Sequence, residues 1–140
     1  MSSSHKLKLN EYFLLIDDDP VYRIIMTRAA ELEDLRLDAF ESIADIGVTG
    51  RRDKYTAALI DFDLGLTTGV ETVNHLQTYF GDIPMILISA KDREPSEGGW
   101  PANIKRFLKK SQGYAFALQE ARKFSELDGV SSLKVRSPKR

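Results

Sequence analysis

Apolar residues in this chain come in short unbroken runs, each followed by a stretch with helical spacing. Tyr12–Ile16 is the first run, stopped at once by Asp17-Asp18-Asp19-Pro20. A run of that length without alternation fits a strand buried on both faces, as in a parallel sheet. Asp19-Pro20 is a helix start, with the carboxylate at the N-cap and proline, which has no N–H to lose, at the first position. Val21, Ile24, Ile25, Ala29 and Leu32 then keep helical spacing to about Leu35. A weaker strand is expected near Leu35–Phe40, then a short helix capped by Ser42 and ended near Gly47–Gly50. Ala57–Ile60 is the next buried run, leading into Asp61-Phe62-Asp63. Thr68-Gly69 opens a helix with Val70, Val73, Leu76 and Phe80 on one face. Met85–Ile88 ends in Ser89-Ala90, Ile104–Leu108 ends in Lys109-Lys110, and Tyr114, Ala117, Leu118, Ala121 and Phe124 mark a last amphipathic helix.

Strand and helix alternate five times, the pattern of a doubly wound α/β fold. It breaks where a fourth helix is due. Glu94-Pro-Ser-Glu-Gly-Gly-Trp-Pro101 holds two prolines and a Gly-Gly pair, so a degenerate or absent helix is expected over Lys91–Pro101. Residues 1–10 read as a tail, 11–127 as the domain, and 128–140 as a basic tail or the start of a linker to an effector domain.

Composition narrows the function classes. The 140 residues are 42% apolar and 29% charged, as in a globular domain. Twenty basic against 21 acidic side chains leave a net charge of −1, with no general attraction to nucleic acid or an anionic membrane. Without cysteine there are no disulfides, thiolate metal sites or thiol catalysis. No apolar run approaches the ~20 residues of a membrane span, and Met1–Asn10 has no signal-peptide core. A single cytoplasmic domain is expected.

Ligands of open α/β sheets bind outside the carboxyl ends of the strands. Those ends carry Asp17 and Asp18, Asp61 and Asp63, Ser89, and Lys110. Carboxylates gathered at one point repel each other without a cation. Their oxygens suit Mg²⁺, which takes few carboxylates, some waters and a phosphate oxygen. An aspartate beside Mg²⁺, flanked by a hydroxyl and a lysine, is equipped to accept a phosphoryl group.

Four fragments, in this order and spacing, resemble the response-regulator receiver domain, the CheY-like module of two-component signalling. They are Leu-Leu-Ile-Asp17-Asp18, Leu-Ile-Asp61-Phe-Asp-Leu-Gly-Leu-Thr-Thr-Gly69, Ile-Leu-Ile-Ser89-Ala90 and Phe107-Leu-Lys-Lys110, within Tyr12 to Leu127. The resemblance implies a five-stranded parallel sheet in the order 2-1-3-4-5. It implies Asp61 as the residue phosphorylated by a sensor histidine kinase or a histidine phosphotransfer protein. Asp18, Asp61 and the backbone carbonyl of Asp63 would hold Mg²⁺ or Mn²⁺, with Asp17 acting through water. Ser89 would bond the phosphoryl group, Lys110 would pair with the free or phosphorylated aspartate, and Phe107 would change rotamer with Ser89. Asp63 and Lys91 would flank the phosphoryl group and tune its hydrolysis, and their opposite charges suggest an ion pair over the entrance. Such a domain catalyses its own modification and is not a turnover enzyme.

Some positions depart from the family. Ser111 stands where proline is usual, so a trans bond or a shifted loop is expected there. Gly65 replaces a common proline. Asp19 reads as a helix cap only, His75 and His5 carry no chemistry by themselves, and Trp100 reads as a loop anchor. Asp61-Phe-Asp63 also resembles haloacid-dehalogenase-like phosphatases, whose acidic pair follows the Ser/Thr and Lys motifs instead of preceding them. A receiver fold serving as a phosphorylation-independent binding module is the other alternative.

Overall fold

Tyr12–Ile16 forms β1 at the interior of the sheet, and four of its five side chains are buried. Phe13 and Leu15 point to one face and Leu14 and Ile16 to the other, each into its own apolar cluster. This two-sided burial is why the run shows no polar alternation. The computed structural model describes residues 11–46, 55–63, 71, 74, 75, 77, 78, 81–91 and 101–136, with side chains of the last helix to 126. Among them β2 (Arg36–Phe40), β3 (Ala57–Asp61), β4 (Met85–Ser89) and β5 (Ile104–Lys109) complete one sheet. Its order is β2-β1-β3-β4-β5 and every pairing is parallel, as expected. A register irregularity beside Met85 brings Ile86 opposite Arg106, so Lys105 has no partner on β4.

Helix α1 (Pro20–Leu32) begins as its sequence suggests, with Asp19 accepting from the Val21 N–H at 3.0 Å. It stops at Leu32, three residues before the expected end. Asp34 turns left-handed (φ 62°), its N–H bonds to the Glu31 carbonyl, and the Leu35 N–H reaches back to Ala30 at 2.9 Å. That is a Schellman ending with aspartate in place of the usual glycine. Of the residues at the expected spacing, only Ala29 packs against the core. Tyr22, Met26 and Ala30 pack on the sheet, whereas Val21, Ile24, Ile25 and Leu32 are exposed, Leu32 by 88%. The aliphatic stripe is a second apolar face, and the less apolar Tyr22-Met26-Ala30 line at strict i, i+4 spacing is the one that joins the core with Phe13 and Leu15.

Ser42 caps no regular helix. Its side chain makes no bond to the backbone, and a single 3₁₀ turn (Ile43–Asp45) follows. Between β3 and β4, residues 71, 74, 75, 77 and 78 are helical, and Gly81 (φ 77°) ends that segment by bonding Gln77. Its expected apolar face, Val70, Val73, Leu76 and Phe80, lies outside the described residues, as do Gly65, Trp100 and the atypical stretch 92–100. The final helix, α2 (Tyr114–Arg136), buries Ala117, Leu118 and Ala121 against the α1 side of the sheet. It continues past Leu127, the limit read from sequence, to Arg136.

Candidate functional site

The carboxyl ends of β1, β3, β4 and β5 meet at one point. Asp17 follows β1 and is fully buried. Its Oδ1 accepts the Asp19 N–H (2.8 Å) and its carbonyl accepts the Arg23 guanidinium (2.8 Å), so the loop into α1 is held from both sides. Its Oδ2 lies 2.8 Å from the Lys110 ammonium. Asp18 is exposed beside it, and Asp61, the last residue of β3, is 3% exposed. Carboxylate oxygens of Asp17, Asp18 and Asp61 all lie within 4.8 Å of one another.

Lys110 opens a 3₁₀ turn (Lys110–Gln112) at the end of β5, and the peptide bonds here are trans. It pairs with Asp17, where pairing with Asp61 was expected. Asp17 is the deeper carboxylate and the nearer partner. The ammonium also lies 4.4 Å from the centre of the Tyr22 ring, which itself stacks on Tyr114 at 5.1 Å. Burial alone would lower the Lys110 ammonium, but the hydrogen bond and charge of Asp17, then Asp61 and Asp19, outweigh it and hold it above its ordinary range. Asp61 moves the other way for an acid. Burial, reinforced by Asp17 and Asp63, pushes it up to about 7 against the Asp63 N–H bond and Lys110, which pull it down.

On β4, Ser89 is buried and its hydroxyl donates to Asp63 Oδ2 at 2.8 Å. The Ala90 N–H donates to the same oxygen at 3.1 Å, and the Lys91 N–H donates to Ser89 Oγ at 3.0 Å. The expected ion pair between Asp63 and Lys91 is therefore not made. The Asp63 carboxylate turns toward β4, where two aligned donors hold it better than an exposed ammonium would. Phe107 is half-buried and meets Phe62 edge-on at 6.5 Å.

The candidate residues Asp17, Asp18, Asp61, Asp63, Ser89 and Lys110 thus share one end of the sheet, with Phe107 beside it and Lys91 on the surface. The sequence reading missed Tyr22. Its only signal is an aromatic in the first turn after the acidic loop, and nothing in that spacing brings it under Lys110. Three carboxylates against one ammonium fit a divalent cation, and all the donors are hard oxygens.

Residues 13–121 match the family model for the response regulator receiver domain, and the chain belongs to that family. Its members are signalling modules of two-component systems. Among solved structures the chain is similar to the response regulator StyR, with TM-score 0.78 and 16% identity over 92% of this chain and 66% of that one. It thus spans just under two thirds of that protein. A CheY-like receiver domain protein from Methanospirillum hungatei gives TM-score 0.68 at 14% identity, covering 86% of this chain and 98% of that one. The response regulator TrrA from Thermotoga maritima, solved with Mg²⁺ and BeF, gives 0.66 at 17%, covering 81% and 98%. At such identities the likeness speaks for the fold. No curated protein sequence matches. None of the described helices is long and apolar enough to cross a membrane.

Proposed function

We propose that this domain accepts a phosphoryl group on Asp61 from a phosphohistidine and later loses it to water. The observation that carries this reading is the convergence of Asp61 with Asp17 and Asp18 beside the Lys110 ammonium. In the transfer, a carboxylate oxygen of Asp61 attacks phosphorus, the P–N bond to the donor imidazole breaks, and the imidazole leaves. In the second step a water oxygen attacks the same phosphorus and gives its proton to solvent, the P–O bond to Asp61 breaks, and inorganic phosphate departs. Asp17 holds Lys110, whose charge offsets the growing negative charge at phosphorus, and the Ser89 hydroxyl and Ala90 N–H supply donors on the β4 side. Asp18, Asp61 and the Asp63 carbonyl would hold Mg²⁺ or Mn²⁺, with Asp17 reaching it through water; the ion supplies charge neutralisation at the phosphoryl oxygens. The Mg²⁺–BeF complex of TrrA, and a Burkholderia pseudomallei response regulator solved with a phosphorylated aspartate and calcium, support this assignment.

Phe107, half-buried beside Phe62, would register the state of Ser89. The donor is a sensor histidine kinase or a histidine phosphotransfer protein in the cytoplasm. The exposed Val21, Ile24, Ile25 and Leu32 support docking of such a donor, because α1 leaves directly from the acidic loop and a protein seated there lies beside Asp61. Continuation of α2 to Arg136 suits onward connection to an effector domain. The haloacid-dehalogenase-like reading, which would make Asp63 a general acid, is less well supported: residues 13–121 match the receiver family, and the acidic motif precedes the Ser89 and Lys110 motifs instead of following them.

Acetyl phosphate with Mg²⁺, followed by mass spectrometry, tests the reading. One labile phosphoryl group on the wild type and none on Asp61→Asn is the expected result. An unlabelled wild type, or an equally labelled variant, overturns it. Ile24→Asp should lower transfer from a phosphohistidine donor while leaving labelling by acetyl phosphate intact.

A further inference from the structure

The Ser89 hydroxyl and the Ala90 N–H converge on a single oxygen, Asp63 Oδ2, at 2.8 and 3.1 Å. The hydroxyl has little freedom to do otherwise. Ser89 is buried, and its oxygen already accepts the Lys91 N–H at 3.0 Å, so its proton is directed away from Lys91 and into Asp63. Asp63 is itself tied to the acceptor, because its N–H donates to Asp61 Oδ1 at 3.0 Å. A phosphoryl group bound to Asp61 places three anionic oxygens beyond the end of β3, and the donors on the adjacent end of β4 are these two. A carboxylate oxygen and a phosphoryl oxygen make equivalent demands on an O–H and an N–H donor. The donor pair is therefore already filled by an anion belonging to the chain.

We propose that the Asp63 carboxylate is a resident anion occupying the donors of Ser89 and Ala90 that a phosphoryl group on Asp61 needs, and that it must swing out before the group can be fully bound. The proposal rests on Asp61 being the phosphoacceptor. It makes Asp63 a determinant of how readily Asp61 is modified, through occupancy of donors and not through an ion pair with Lys91. It also explains how Ser89 is satisfied in the unmodified domain, where a buried hydroxyl without an acceptor is costly.

The probe is beryllium fluoride with Mg²⁺, titrated into the whole chain and into Asp63→Ala and Asp63→Asn, alongside amide exchange at Ala90 with no additive. Asparagine keeps an acceptor oxygen and loses the charge; alanine loses both. Ala90 exchange should quicken about tenfold in Asp63→Ala, and beryllium fluoride should bind about fivefold more tightly, the worth of one net hydrogen bond. Asp63→Asn should fall between wild type and alanine on both measures. Unchanged Ala90 exchange in Asp63→Ala overturns the proposal, as does unchanged or weaker binding. An equal gain in both variants overturns it too, by assigning the effect to charge repulsion alone. If none of the three proteins binds beryllium fluoride, the phosphoacceptor reading falls and takes this proposal with it. Binding by all three in the reverse order defeats the proposal alone.

Discussion

Strand β1 has a buried carboxylate at each end, and the two lead opposite lives. Glu11, before the strand, is 5% exposed; Asp17, after it, is fully buried. Glu11 accepts from the Arg122 guanidinium of α2 at 3.3 Å. That carboxylate has its own cation from α2. At the other end carboxylate oxygens of Asp17, Asp18 and Asp61 lie within 4.8 Å of one another, with the Lys110 ammonium on Asp17 and the Arg23 guanidinium on the Asp17 carbonyl. Burial perturbs acids at both ends, raising Glu11 against the pull of Arg122, with Glu126 adding to the rise, and raising Asp61 to about 7. A buried acid is therefore no mark of a site. What sets the carboxyl end apart is an excess of carboxylate over cation, assembled from separate strands.

The largest effect should come from taking away each end's cation. Lys110→Ala leaves the fully buried Asp17 without its partner and should cost about 3 kcal/mol in urea unfolding. Arg122→Ala removes a half-buried partner whose place water can take, and should cost about 1 kcal/mol. Equal losses would show that the two ends are electrostatically alike.

Removing an acid from the crowded end should do the opposite. Asp61 holds its proton more tightly folded than unfolded, its folded value being about 7 against an ordinary 3.8. Its ionisation therefore costs nothing below pH 4 and destabilises progressively as pH rises through 7. In metal-free buffer Asp61→Asn should be about 2 kcal/mol more stable than wild type at pH 8 and equal to it at pH 4, read by thermal melts. A variant less stable at pH 8 would mean that the charge is already compensated.

A divalent cation sharpens the same contrast. If Mg²⁺ binds with Kd about 1 mM, ten millimolar should stabilise the wild type by roughly 1.4 kcal/mol. Asp18→Ala should lose that gain, and Glu11→Gln should keep it. The smallest change belongs to Glu11→Gln itself. Because burial raises Glu11 above its ordinary 4.5, its ionisation weakens the fold as pH climbs through the folded value. The variant should gain under about 1 kcal/mol at neutral pH and none in acid. A loss at neutral pH would mean that the Arg122 pair outweighs burial.

The strands were open to a reader of the chain because a segment buried on both faces must be apolar, and β1, β3 and β4 are so up to the Asp61 and Ser89 that end the last two. Asp17, Asp61, Ser89 and Lys110 could be placed together for a similar reason, since parallel strands deliver their carboxyl ends to one edge of the sheet. Which face of α1 would turn inward was not open. Val21, Ile24, Ile25 and Leu32 outrank Tyr22, Met26 and Ala30 in apolar character, yet it is the second set that packs with Phe13, Leu15 and the last helix. Partner choice was equally hidden. Lys110 joins Asp17 and the Tyr22 ring, and Asp63 turns to Ser89 and Ala90 instead of Lys91, because those choices depend on a few ångströms of approach between distant segments. Periodicity and residue type carry information about what must be buried and at which end of a strand a side chain falls. Which donor meets which acceptor is decided only when the packed strands and helices set the distances between them.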